Sequence, residues 1–198
     1  MIREYAELKS FPLKTGATFV RPLQSFPERV KLSDSALDVM TDLTKVSVVS
    51  VRAKTSMYKA NAKMIRYGVR MLLVLDDNDQ VAGLLTAADV LGEKPMRFLQ
   101  NMGGTHAEIM VRDIMSTQRE LEVLKVENVQ QAKVGEIVAT LKKANKQHAL
   151  VVIEAADGKQ TVCGLFSITQ IARLLGAQVQ SFELARTFAE IEATIPHA

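Results

Sequence analysis

Thr86 and Asp89 stand three residues apart where an apolar strand-like run gives way to a helical segment, and they are the pair best suited to hold a small ligand. An ionised aspartate is an acceptor only, with two oxygens that can take both hydroxyls of a ribose cis-diol. The threonine hydroxyl and the free N–H groups of the helix start suit a phosphate or another acceptor. The same spacing is also a helix capping box, and the two readings do not exclude each other. A second copy of the arrangement, Ser167-x-x-Gln170, replaces the acid with an amide. One oxygen and two donors suit a diol poorly. That second position is expected to be a good capping box but a degenerate or empty site.

The remaining chemistry is sparse. The histidines are His106, His148 and His197. No Cys/His, Ser/His/Asp or clustered carboxylate arrangement can be placed on common elements, and neither a P-loop nor G-x-G-x-x-G occurs, so catalysis is not expected. The single cysteine, Cys163, lies among Val162, Gly164, Leu165 and Phe166 and reads as a buried, inert strand thiol. It excludes an internal disulfide and cannot form a zinc site alone. A formal charge of +3 is small, and the short cluster Lys142, Lys143 and Lys146 reads as a solvated helix end. Residues 168–176 resemble the first helix and glycine turn of a helix-turn-helix, with 178–191 as its second helix. Glu183, Glu190 and Glu192 make that second helix a poor phosphate-facing surface, so nucleic acid is not the expected partner. The first residues, Met1 to Glu7, do not form a signal peptide, and no segment is apolar for long enough to cross a bilayer; a cytoplasmic protein is expected.

A diverged internal duplication must position these residues. The copies open with Asp38-Val39-Met40-Thr41 and Asp113-Ile114-Met115-Ser116. Each leads to a β-rich stretch, 48–51 or 123–126, and then to a helix. Its apolar stripe is Met57, Ala60, Met64 and Ile65 in one copy and Val134, Ile137, Val138 and Leu141 in the other. Unbroken aliphatic runs follow, 71–75 and 149–153, which read as strands buried on both faces. A turn, a closing strand containing Gly83 or Gly164, and a further helix complete each copy. The expected organisation is an extended arm over residues 1–34, repeat 1 over 35–92, a linker over 93–110 with a short helix and a Gly103-Gly104 turn, repeat 2 over 111–176, and a C-terminal helix over 177–198.

These pieces, in order and twice over, resemble the CBS repeats named after cystathionine β-synthase. The carrying motifs are the Val-Met-Thr and Ile-Met-Ser openers, Gly68-Val69-Arg70 before the first central run, and Gly83-Leu84-Leu85-Thr86-Ala87-Ala88-Asp89 with its counterpart at 164–170. The resemblance implies an α+β fold of two βαββα units related by a pseudo-twofold axis. It also implies dimers of such pairs and adenine nucleotides (AMP, ADP or ATP) held in clefts between the repeats. Carried over, it places Lys146, Gln147 and His148 on the phosphate-facing wall opposite Asp89. Val46, Ser47 and Val48 come near the adenine, while Arg70 and Met71 face Ser167 and Gln170 in the second cleft. The expected role is that of a non-catalytic sensor, a homodimer acting on a separate effector protein. A pair of repeats that only assembles, without ligand, is the alternative, and a DNA-binding regulator using residues 168–191 a more distant one.

Overall fold

The computed structural model describes residues 24–177 together with residues 12, 14 and 191. Its two aliphatic runs are the strands β3 (Met71–Leu75) and β7 (His148–Glu154), each central in a four-stranded sheet. Alternate side chains of a strand point to opposite faces, and here both faces are covered. Leu72 and Val74 join a core with the helix α1 (Met57–Tyr67), whereas Met71 and Leu73 meet Leu84 and Leu150 between the sheets. Val151 turns the other way, into a core with α6 (Val134–Ala144) and α7 (Ile168–Leu175). Burial on both faces explains why these runs show no polar alternation.

The first sheet has the order β2 (Ser50–Arg52), β3, β4 (Val81–Thr86), β5 (Ser116–Thr117); the second runs β1 (Thr41–Asp42), β8 (Gln160–Ser167), β7, β6 (Val123–Lys125). Within each repeat the first strand pairs parallel to the central one, β2 with β3 and β6 with β7. The openers are exchanged: β1 of repeat 1 pairs with β8 of repeat 2, and β5 of repeat 2 with β4 of repeat 1. The crossing is repeated at the helix entries, where Ser35 bridges Lys133 and Ser56 bridges Met110. Both hairpins also slip register at the same place, after Val74 and after Val151, next to the motif glycine. Those glycines have a packing reason. A Cβ on Gly83 would lie 2.3 Å from the Ser116 carbonyl oxygen, and one on Gly164 would lie 2.7 Å from Met40 Sδ. Each repeat's glycine thus receives the other repeat's opener.

Repeat 2 has a short helix that repeat 1 lacks, α5 (Val126–Gln131), between its first strand and α6. The linker holds α2 (Ala87–Leu91), the end of repeat 1, apart from α4 (Val111–Ile114) through α3 (Lys94–Met102) and the left-handed Gly103 and Gly104. From the arm, Val30 is buried in the repeat 2 core and its N–H donates to the Leu174 carbonyl at 3.0 Å. Ala177 and Ile191 are buried in the same core; the other residues of the C-terminal helix expected from the sequence, and most of the arm, fall outside the described residues. Cys163 is buried as expected, and burial raises its thiol pKa.

The α1 helix ends on Gly68 at φ +63°, and α6 ends on Asn145 at φ +51° in the matching place. Both occupy the left-handed region that glycine and asparagine tolerate. Gly68→Ala is therefore expected to cost about 1 kcal/mol, while Gly68→Asn costs much less; equilibrium denaturation of the two variants checks this. Equal losses would show that the left-handed cap is not the cause.

Candidate functional site

Two clefts flank the contact between the sheets. The first, about 550 Å³, is bounded on one side by the end of β4 and start of α2, with Thr86 and Asp89, and on the other by Lys146, Gln147 and His148. It brings together five of the residues the sequence grouped. Leu121, Val123 and Leu124 supply its apolar wall. Val46, Ser47 and Val48 do not take part; they line the second cleft instead. The reason is the parallel pairing of each first strand with its own central strand: Val123 lies opposite Leu150 and Ser50 opposite Leu73, so the chain entering β6 runs beside the start of β7 and the chain entering β2 beside the start of β3. In that register Leu121, on the wall facing Asp89, is the counterpart of Val48.

Asp89 is a cap and an ion-pair partner at once. Its Oδ2 accepts from the Thr86 N–H and the Thr86 hydroxyl, both at 2.7 Å, while the Thr86 hydroxyl accepts from the Asp89 N–H at 3.2 Å. The capping box is complete. Its Oδ1 meets Lys94 Nζ at 2.7 Å, and the same ammonium donates to the Ile114 carbonyl at 3.0 Å. Lys94, which sequence reading missed, begins α3 five residues beyond Asp89 in the linker, where no motif marks it. With Lys146 it gives the cleft two cations against Asp89, Glu120 and Glu122. Glu120 is held ionised, its pKa lowered chiefly by the Thr117 N–H, then by the Thr117 hydroxyl, with Lys94 and Lys146 adding to the effect.

The second cleft, about 480 Å³, gathers Arg70, Met71, Ser167 and Gln170 as expected from the sequence. It adds Thr169 and Arg173, the latter one turn beyond Gln170 on the same face of α7, a spacing that was readable. The expected second capping box is not formed: the Ser167 side chain makes no cap hydrogen bond. The amide of Gln170 is turned so that Nε2 is buried without a hydrogen-bond partner, and Thr169 Oγ1 accepts from Arg70 Nη1 at 3.4 Å.

His148 lines both clefts. It opens β7 on the face that carries Leu150 into the space between the sheets, and its Nδ1 is buried without a partner. Burial, then the Arg70 charge, push its pKa down to about 4, with Asp89 pulling the other way. The ring is therefore neutral near pH 7. Among the described residues no cluster of three or more His, Cys, Asp or Glu side chains could hold a metal ion, and no helix is long and apolar enough to cross a membrane.

Residues 36–95 match the family model of the CBS domain. Solved structures share the two-repeat fold. An uncharacterized conserved protein of Pyrococcus horikoshii is 20% identical, with a TM-score of 0.53 over 77% of this chain and 99% of that one. A CBS-domain-containing protein of Agrobacterium tumefaciens is 15% identical, with a TM-score of 0.52 over 72% and 94%. A conserved CBS domain protein of unknown function from Thermoplasma acidophilum is 18% identical, with a TM-score of 0.50 over 78% and 76%. No curated protein matches the sequence. Residues 36–95 thus carry a match to the CBS domain, and the described residues as a whole share the two-repeat fold of these solved structures.

Proposed function

We propose that this chain is a CBS pair, a non-catalytic regulatory module that binds an adenine nucleotide, AMP, ADP or ATP, in the cleft of Thr86 and Asp89. The observation that carries the reading is the placing of the Asp89 carboxylate beside two ammonium groups and an apolar wall in one cleft. A carboxylate offers about four lone-pair sites, and three are taken by the Thr86 N–H, the Thr86 hydroxyl and Lys94. A ribose diol engages by displacing Lys94 from Oδ1, and the freed ammonium, with Lys146, meets the phosphate. The base lies against Leu121, Val123 and Leu124. Neutral His148 serves as a hydrogen-bonding wall and not as a counter-charge. Binding then favours whichever arrangement of the repeats, or of two chains, holds the nucleotide better. Exposed Tyr58 and Ile65 on α1 and Leu91 on α2 support pairing with a second copy, and output passes to a separate effector protein.

Calorimetric titration with AMP, ADP and ATP tests the reading, with thermal shift as the second readout. Saturating ligand at 100 times Kd adds about 2.7 kcal/mol of stability. Asp89→Ala is expected to weaken binding at least 10-fold, with a helix-cap loss of about 0.5–2 kcal/mol. The occupied Asp89 oxygens favour one competing reading, a ligand-free assembly module. If no nucleotide binds below millimolar concentration, that reading replaces this one.

A further inference from the structure

Lys94 stands where its own helix does not favour it. It is the first residue of α3, the N-cap residue Glu93 makes no side-chain hydrogen bond, and a cation there opposes the positive end of the helix dipole. A lysine in such a place ordinarily carries its charged head out into water. Here the ammonium is held at two points, by Asp89 Oδ1 at 2.7 Å and by the Ile114 carbonyl at 3.0 Å. Asp89 begins the last helix of repeat 1 and Ile114 ends α4 of repeat 2, so one side chain of the linker ties the two repeats together beside the cleft. The Asp89 side chain is only 12% exposed, which sets this pair apart from the solvated ion pairs of the surface. Nothing equivalent exists at the other copy, where the residue five beyond Gln170 is Leu175. A choice that works against its own helix and is met only by distant partners is where a functional demand is expected.

We propose that Lys94 is a charge latch on the Asp89 cleft, a resident occupant of the acceptor that makes entry of a ligand conditional on an anionic group. The proposal rests on the nucleotide reading above and concerns which adenine compounds that cleft admits. Asp89 Oδ2 already accepts from the Thr86 N–H and hydroxyl, so Oδ1 is the oxygen for which a diol and the ammonium compete. A neutral nucleoside offers hydroxyl donors to Oδ1 but nothing to the lysine it turns out, and the ion pair is lost without replacement. A nucleoside phosphate returns a charged acceptor, and the ammonium exchanges a carboxylate for a phosphate oxygen. Glu120 is a poor substitute partner, because its Oε2 is taken by the Thr117 N–H and hydroxyl at 2.7 and 2.8 Å. The latch thus selects for the charge of the ligand at a residue that touches neither base nor ribose.

The test compares the full chain with its Lys94→Met variant, which keeps a long stem and removes the charge. Each is titrated by calorimetry with AMP and with adenosine at low ionic strength, where screening is least. The unsubstituted chain is expected to prefer AMP. In Lys94→Met adenosine should bind more tightly than before and AMP no more tightly, so that the preference for AMP shrinks by roughly 5-fold or more. Damage to the fold would weaken both ligands together, so the gain in adenosine affinity isolates the latch. Lys94→Arg, which keeps a cation able to pair with a carboxylate or a phosphate, should retain the preference. AMP bound with an unchanged preference in Lys94→Met, or adenosine weakened as much as AMP, overturns the latch and leaves the nucleotide reading standing. If neither ligand binds either chain, the nucleotide reading falls and the latch with it.

Discussion

Gly83→Ala is expected to lower the unfolding free energy by more than about 2 kcal/mol, whereas Gly164→Ala at the matching position costs clearly less. The added methyl group at position 83 would sit 2.3 Å from the backbone oxygen of Ser116, in the strand paired to it, and 3.2 Å from Met115 Sδ. A backbone atom cannot swing aside, so β5 must move as a unit and its pairing with β4 suffers. At position 164 the methyl group meets Met40 Sδ at 2.7 Å, and a methionine side chain has three torsions with which to yield. Equilibrium denaturation of both variants measures the contrast. Because Ser116 also lines the Asp89 cleft, Gly83→Ala should weaken any ligand held there, while Gly164→Ala should not. Equal stability losses would show that the close approach of the exchanged opener is not what requires glycine.

Acidification from about pH 6.5 to about 4 should remove on the order of 3 kcal/mol of stability through His148 alone. Its folded pKa is lowered from 6.5 to about 4 by burial and by Arg70, with Asp89 opposing. The unfolded chain therefore takes up the proton first as the pH falls. The contribution is whole above the unfolded value and is lost progressively below it, until the folded protein protonates too. His148→Gln, which cannot titrate, should flatten the pH dependence of Tm between pH 6.5 and 5. That window lies above the range in which carboxylates such as Asp42 and Glu120 take up protons, their values being lowered in the fold. An unchanged slope in the variant would show that His148 is not the group that titrates. Anions bound in either cleft should raise the His148 value and shrink the slope in the unsubstituted chain.

Much of the architecture is legible in the residues taken in order. The twin openers, the unbroken runs at 71–75 and 149–153, and the two glycine-bearing closing strands mark a copied unit, because burial on both faces and strand-ending turns leave local signatures. Thr86 and Asp89 are recognisable as cap and acceptor together for the same reason: their partners are three residues away. The amide at Gln170 marks the second cleft as different, but not what it became. Gln170 turns a buried donor inward, Ser167 leaves its helix without a side-chain cap, and Arg70 arrives at Thr169 from the other repeat; none of these is written in the residues next to Gln170.

The division follows from range. Chain-local chemistry, such as periodicity and the Thr86–Asp89 cap, is written in neighbouring residues and was determined by the sequence alone, whereas the facing of Asp89 by Lys146 to His148 was implied by the resemblance to CBS repeats. Which apolar stretch faces Asp89 was decided only by the fold. Parallel pairing of β6 with β7 carries Leu121 to Leu124 there and leaves Val46 to Val48 in the opposite cleft. The exchange of openers, the Lys94 bridge and the sharing of His148 between both clefts likewise arise where distant segments meet, and no spacing along the chain encodes such a meeting.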